Sequence, residues 1–288
     1  MTGKASTLQI VRTVKDLRTA MAAWRNDGLT AGLVPTMGAL HDGHFSLADR
    51  SVADNEKTCA TLFVNPKQFG LDEDFDVYPR DEAGDAAALE ERGVDVLFAP
   101  GVEEMYPEGS TTAVSVPGIG DILEGECRPG FFTGVATVVS KLLIQSLPDK
   151  AYFGEKDYQQ LCVIQRMTAD LDIPVEIIGC PIIREDDGLA LSSRNAYLSD
   201  EERAIAPVLN ASLVHVAEAL NAGGDVAAAE ADAAQQVLEA GFKSVDYITA
   251  RHPLSLEPVT DLSAGARVLG AAWLGKTRLI DNIGAAQG

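Results

Sequence analysis

The chain has 288 residues, 46% of them hydrophobic, and carries 23 Lys and Arg against 43 Asp and Glu, a formal net charge of −20. That length can bury a large core in one or two domains, and the composition is that of an ordinary folded protein. The acidity argues against a nucleic-acid partner, which calls for a basic face. No apolar run reaches membrane-spanning length, and Met1–Ile10 lacks the basic segment and apolar stretch of a secretory signal. We therefore expect a soluble, cytoplasmic protein with no membrane partner. Cys59, Cys127, Cys162 and Cys180 form no C-x-x-C pair, so reduced thiols are expected rather than a zinc knuckle.

Taken in chain order, Val14–Trp24 reads as a helix, Ala31–Val34 as a short buried strand, Phe45–Ala53 as a helix and Thr58–Val64 as a strand. Asp81–Arg92 is helical, Val94–Phe98 strand-like and Thr137–Leu147 helical. Ala151–Phe153, Gln159–Leu171 and Val175–Gly179 continue as strand, helix and strand. This alternation predicts an α/β domain: a parallel sheet with helices on both faces. Beyond about residue 184 the pattern changes. Glu201–Leu220 and Val226–Ala240 read as two Ala-rich helices around Gly223-Gly224, followed by strands at Val245–Thr249, Arg267–Leu274 and Thr277–Ile283. We expect two domains, residues 1–183 and a smaller α+β domain over 184–288.

Four stretches could carry chemistry. His41 and His44 lie where the strand after Ala31 hands over to a helix, the place where open α/β sheets bind ligands. Free N–H groups and the positive dipole end at that helix start suit phosphate, and Gly38, Ala39 and Gly43 allow close approach. Phosphate binding, a capping or core role, and a metal site all remain open for the pair; two ligands are few for a metal. Asn65 and Gln68 end the next strand, and their amides suit hydroxyls or can orient a carboxylate, although Asn-Pro also starts turns. Lys156 and Asp157 follow another strand and Gly154. The lysine can meet a phosphate and the aspartate can hold Mg²⁺, or the pair can simply decorate a helix start. Ser192, Ser193 and Arg194 lie in a polar loop that could close over a triphosphate or act only as a linker. The net charge sharpens all four readings, because anionic substrates need local positive charge against a repulsive global field.

Gly270–Thr277 matches G-x-x-x-x-G-K-[ST] letter for letter. A P-loop needs a strand before it and a helix after it. Here the first part reads as the strand itself, Gly275-Lys276 as a hairpin turn and Thr277–Ile283 as the return strand. We expect a hairpin.

Together these stretches resemble the pantothenate synthetase family (pantoate–β-alanine ligases, AMP-forming). Pro35-Thr-Met-Gly-Ala-Leu-His-Asp-Gly-His44, Phe63-Val-Asn-Pro, Tyr78-Pro-Arg80, Gly134-Val-Ala-Thr-Val-Val-Ser-Lys141, Phe153-Gly-Glu-Lys-Asp157 and Ser192-Ser-Arg-Asn195 occur in the family's order. The resemblance implies a Rossmann-like domain that binds ATP and pantoate, a C-terminal domain that closes over the site, and a homodimer. It implies that pantoate attacks Mg·ATP to give pantoyl adenylate, which β-alanine then converts to pantothenate. It implies that His41, His44, Lys156, Ser192, Ser193 and Arg194 act on the phosphates. Met37, Gly43, Gly154, Asp157, Ile183 and Leu191 would complete the nucleotide site, with Asp157 near Mg²⁺. Gln68 and Gln160 would hold pantoate, with Met37 and Asn65 lining that pocket.

Two positions depart from the family's usual pattern. Phe131 stands where Arg-Pro-Gly-His-Phe is common, and Lys67 where Met is common. A phenyl ring cannot donate a hydrogen bond, so a polar role at 131 is lost. Lys67 either adds a positive charge near the pantoate pocket or points to solvent, and we expect the second. A nucleotidyltransferase with a phosphorylated acceptor would also explain the histidines, but not the two glutamines. A non-catalytic nucleotide sensor would not need the intact Lys156–Asp157 and Ser192–Arg194 sets.

Overall fold

The computed structural model describes residues 7–70, 75, 78–259 and 263–285. Residues 1–6 of the N-terminal stretch read above lie outside them. In chain order the elements are β1 (Gln9–Val11), α1 (Val14–Asn26), β2 (Ala31–Thr36), α2 (Asp42–Asp54), β3 (Lys57–Leu62), α3 (Glu82–Glu91), β4 (Val96–Phe98), α4 (Val102–Met105), α5 (Glu124–Cys127) and α6 (Phe131–Ser146). There follow β5 (Lys150–Gly154), α7 (Tyr158–Asp170), β6 (Glu176–Cys180), α8 (Asp200–Ile205), α9 (Val208–Asn221), α10 (Val226–Glu239), β7 (Ser244–Arg251), β8 (Ala266–Leu274) and β9 (Thr277–Ala285). No helix among the described residues is long and apolar enough to cross a membrane.

The chain divides into two compact units. One holds the residues up to Glu155 and Val163–Pro181; the other holds Lys156–Cys162 and Ile182 onward. The first is a six-stranded, wholly parallel sheet in the order β1-β4-β3-β2-β5-β6, flanked by helices. Its strands are apolar runs because both faces are covered; Leu33, Val34, Ala60 and Leu97 are fully buried. From β2 the order runs outward through β3 to β4 on one side and through β5 to β6 on the other. The carboxyl ends of β2 and β5 therefore flank the switch point, where such sheets open a ligand crevice.

Local signals explain most boundaries. Thr13 caps α1 by accepting from Asp16 N–H, and Leu17 and Met21 give that helix its buried stripe. Helix α6 begins six residues earlier than its apolar period suggests. Its N-cap, Gly130, has φ +85° and makes no side-chain cap, so no Ser, Thr, Asp or Asn marks the start.

The second unit packs α8–α10 against the antiparallel sheet β7-β8-β9, with Leu209, Leu213, Val216 and Val268 in its core. The single helix expected over Glu201–Leu220 is two helices. Pro207 has no N–H to continue the ladder and stands between them. Gly270–Thr277 is a hairpin, as its context predicts. Leu274 pairs with Thr277 across a two-residue turn whose first member, Gly275, has φ +56°. Several arginines carry a carboxylate of their own: Arg12 with Glu82, Arg50 with Asp54, Arg92 with Asp49 and Arg166 with Asp170.

Candidate active site

The turn after β2 is built by a carboxylate. Gly38 and Ala39 have φ +91° and +53°. A left-handed alanine costs about 1–2 kcal/mol, and Asp85 on α3 offsets it. The Asp85 carboxylate, 6% exposed, accepts the N–H groups of Ala39 and Leu40 at 3.0 and 2.9 Å. The next residue, His41, is the N-cap of α2, and its Nδ1 accepts Gly43 N–H at 3.1 Å. A neutral ring that accepts at Nδ1 carries its proton on Nε2, which makes that nitrogen a donor. The two imidazole centroids are 4.2 Å apart, tilted by 49°.

This corrects one expectation. The backbone N–H groups of Ala39, Leu40 and Gly43 are engaged within the protein, so these three are not the free donors expected at this turn. The metal reading of the pair finds no support: no cluster of three or more potential metal ligands occurs among the described residues.

Met37, Asn65 and Gln68 do come together. Gln68 Nε2 donates to Met37 Sδ at 3.0 Å, and Asn65 Nδ2 donates to Gln68 Oε1 at 3.0 Å. Asn65 is 1% exposed and its amide is used on every side. It also donates to Gly134 O at 3.1 Å and accepts from Tyr106 Oη at 2.8 Å and from Lys67 N–H at 3.3 Å. A Cβ on Gly134 would collide with the Lys67 carbonyl, so glycine lets α6 press directly on this turn. Tyr106 was not legible as a site residue in the sequence. Burial pushes its hydroxyl up to about 12, so it stays a donor to Asn65. Lys67 is exposed as expected, yet its ammonium sits 4.5 Å from the Tyr106 ring centroid. Phe131 also has a partner: the Arg128 guanidinium lies 3.8 Å from its ring centroid and donates to Gln68 O at 3.3 Å.

The second unit holds Lys156, Asp157, Gln160 and the serine loop. Glu155–Asp157 form one 3-10 turn after β5, which ends at Gly154. Lys156 Nζ is 3.9 Å from Asp157 Oδ1, a loose pair that leaves both groups available, and Asp157 is half exposed. Gln160 is partly buried on the first turn of α7. In the loop, Leu191 N–H donates to Ile183 O at 3.0 Å, and Asn195 Nδ2 donates to Ala190 O at 3.0 Å. Ser192 caps the 3-10 helix Ser193–Tyr197 by accepting Arg194 N–H at 3.3 Å. Arg194 has no ion-pair partner among the described residues, unlike the arginines above. His215 and His252 belong to other parts of this unit; His252 Nδ1 caps a local turn by accepting from Leu254 and Ser255.

An open parallel sheet with helices on its faces and polar turns after the two strands at its switch point defines a ligand-binding α/β protein. Similarity to known proteins narrows the class. The family model described as pantoate–β-alanine ligase matches residues 9–284. A pantothenate synthetase of Paramagnetospirillum magneticum is 57% identical over 97% of this chain and 99% of its own, and one of Caulobacter vibrioides is 55% identical over 95% and 97%. The crystal structure of pantothenate synthetase from Thermus thermophilus superposes with a TM-score of 0.90 at 49% identity, covering 96% of this chain and 98% of that one. A Francisella tularensis pantoate–β-alanine ligase, complexed with β-γ ATP and β-alanine, matches with a TM-score of 0.81 at 34% identity over 98% and 99%. The chain belongs to the pantoate–β-alanine ligase family of enzymes.

Proposed function

We propose that this protein joins pantoate to β-alanine in two steps at the residues described above. In the first, a pantoate carboxylate oxygen attacks the α-phosphorus of ATP; the bond to the bridging oxygen breaks and pyrophosphate leaves. In the second, the β-alanine amine attacks the acyl carbon of pantoyl adenylate, loses a proton, and AMP departs with the bonding pair. One anion attacking another needs neutralised charge and in-line placement rather than a nucleophilic side chain.

His41 and His44 donate to the phosphates through their rings. Lys156, Ser192, Ser193 and Arg194 meet the charge that grows on the leaving pyrophosphate, and Met37, Gly43, Gly154, Ile183 and Leu191 line the nucleotide. Gln68 and Gln160 hold pantoate through its hydroxyls and carboxylate. Asn65 sets the Gln68 amide, since its own amide is already engaged. Mg²⁺ carried with ATP would take Asp157 as its protein carboxylate and reduce the charge on the phosphates, a role that suits an exposed acid with only a loose partner. We also read the enzyme as a cytoplasmic homodimer; none of its four cysteines is in a disulfide.

The observation that carries this reading is the placement of the His turn and the Lys156 turn directly after β2 and β5. These two strands are neighbours at the switch point. The test is pyrophosphate exchange into ATP. Exchange should require pantoate and Mg²⁺, and adding β-alanine should release AMP and pantothenate. Exchange that proceeds without pantoate rejects the ligase reading and favours transfer of the nucleotide to another acceptor. No exchange and no product, with ATP still bound, would favour a sensor.

A further inference from the structure

Asn282 on β9 has no part in the assignments above, yet it is the side chain that grips the Lys156 turn. It is 2% exposed, and its Nδ2 donates to the backbone carbonyl of Lys156 at 2.9 Å. Its Oδ1 accepts from Arg267 Nε at 2.7 Å. These partners fix the amide orientation: a carbonyl needs a donor and a guanidinium N–H needs an acceptor. The Arg267 guanidinium then lies 4.1 Å from the ring centroid of Tyr158, two residues past Lys156, and Tyr158 Oη donates to Pro253 O at 3.0 Å. The segment Lys156–Cys162 groups with the second unit, and these are bonds that hold it there.

The adjacent residue, Asp281, holds the other phosphate-handling segment. Its carboxylate takes the Arg184 guanidinium in a bidentate pair at 2.7 and 2.9 Å, at the root of the loop that carries Ser192–Arg194. It also accepts from Asn210 Nδ2 at 3.0 Å. Two consecutive residues of one strand thus anchor both segments.

We infer that Asn282 is a positioning residue for the reaction: its bond to the Lys156 carbonyl sets the height and direction from which the Lys156 ammonium reaches the phosphates. The inference rests on the reading that Lys156 acts on the phosphates. A carboxamide meets both demands at this reach. Asn282→Asp keeps the volume and the acceptor for Arg267, but turns an oxygen toward the Lys156 carbonyl where a donor stood.

The experiment measures kcat, and KM for ATP and pantoate, in full-length Asn282→Asp, Asn282→Ser, Ile283→Ala and Lys156→Ala, and in Asn282→Asp combined with Lys156→Ala. Melting curves accompany each. A misplacement of about 1 Å costs on the order of 100-fold in rate. We expect kcat to fall about 10- to 100-fold in both Asn282 variants while KM for pantoate stays unchanged. Ile283→Ala removes packing against the hydrophobic core from the next residue of β9 and touches neither anchored segment, so it should lower the melting temperature and keep the wild-type kcat. If Asn282 acts through Lys156, the double variant should be no slower than Lys156→Ala alone. The Ser variant, small and uncharged, answers the same question should the Asp variant not fold. Wild-type kcat in either Asn282 variant, equal loss in Ile283→Ala, or full multiplication of the two losses overturns the inference. Near-normal turnover of Lys156→Ala would instead overturn the assignment of Lys156, a separate result.

Discussion

The turn after β2 and the turn after β5 both leave a parallel strand and enter a helix, yet they are held by opposite partners. The first runs through left-handed residues and presents N–H groups inward, so it is fixed by an acceptor, Asp85. The second is a 3-10 turn that presents a carbonyl, so it is fixed by a donor, Asn282. The chemistry of each support follows from the backbone it must satisfy. Neither support follows from the functional side chain it places.

The largest expected effect comes from removing the side chains we propose to meet the phosphates. Lys156→Ala and His44→Ala should each lower kcat/KM by about 100- to 1,000-fold, the usual cost of deleting one electrostatic contact to developing charge. Melting temperatures should barely move, and steady-state kinetics beside a thermal melt checks both. Near-normal turnover in one variant but not the other would make the two turns unequal partners.

Removing the acceptor should come next. Asp85→Asn keeps an acceptor for one of the two N–H groups but sets a donor against the other, and should destabilise the protein by about 1–3 kcal/mol. It should also slow turnover, because the His41 turn relaxes. Adding Ala39→Gly should return about 1 kcal/mol by removing the left-handed strain. Chemical denaturation of the single and double variants tests this, and no recovery would mean that the strain is not what Asp85 opposes.

A smaller effect separates the units by thiol chemistry. Burial pushes Cys59 in the first unit up to about 12 and Cys162 in the second up to about 11. The sign is that of a neutral acid: desolvation disfavours the thiolate, so both stay protonated and inert at pH 8 until local opening restores an ordinary thiol near about 8.5. Iodoacetamide at about pH 8 should first modify the exposed Cys127, and mass spectrometry of the slower Cys59 and Cys162 adducts ranks the two units by opening. The smallest effect belongs to Lys276→Ala, which should leave KM for ATP unchanged; a rise would revive the P-loop that the hairpin geometry rejects.

Much of this was legible in the sequence. The alternation of short apolar runs with amphipathic stretches marked the parallel sheet, and Gly38 and Gly154 marked the turns that matter, whereas Pro35 lies inside β2 rather than ending it. What could not be read is what those turns rest on. Asp85 lies 46 residues from Ala39 and Asn282 lies 126 from Lys156, and neither sits in a pattern that announces a partner. Tyr106 is equally silent until Asn65 is seen to need a donor. Strand β1 is three residues long, too short for a period of two to show. The Phe131 departure reads differently in three dimensions. A ring that cannot donate gives Arg128 a face to lie on beside Gln68, so the position contributes a stacked cation rather than a hydrogen bond.

The arginines paired with their own carboxylates have a kinetic consequence. Arg12, Arg50, Arg92 and Arg166 each lie against a carboxylate, so none of them makes a local positive patch to offset the far field of this −20 molecule. An incoming nucleotide therefore climbs a net repulsive potential on its approach. Added salt shortens that climb, because the screening length falls to about 10 Å at about 0.1 M. Association of ATP should thus accelerate as ionic strength rises, the reverse of an electrostatically steered enzyme, and stopped-flow binding across a salt series would read the slope.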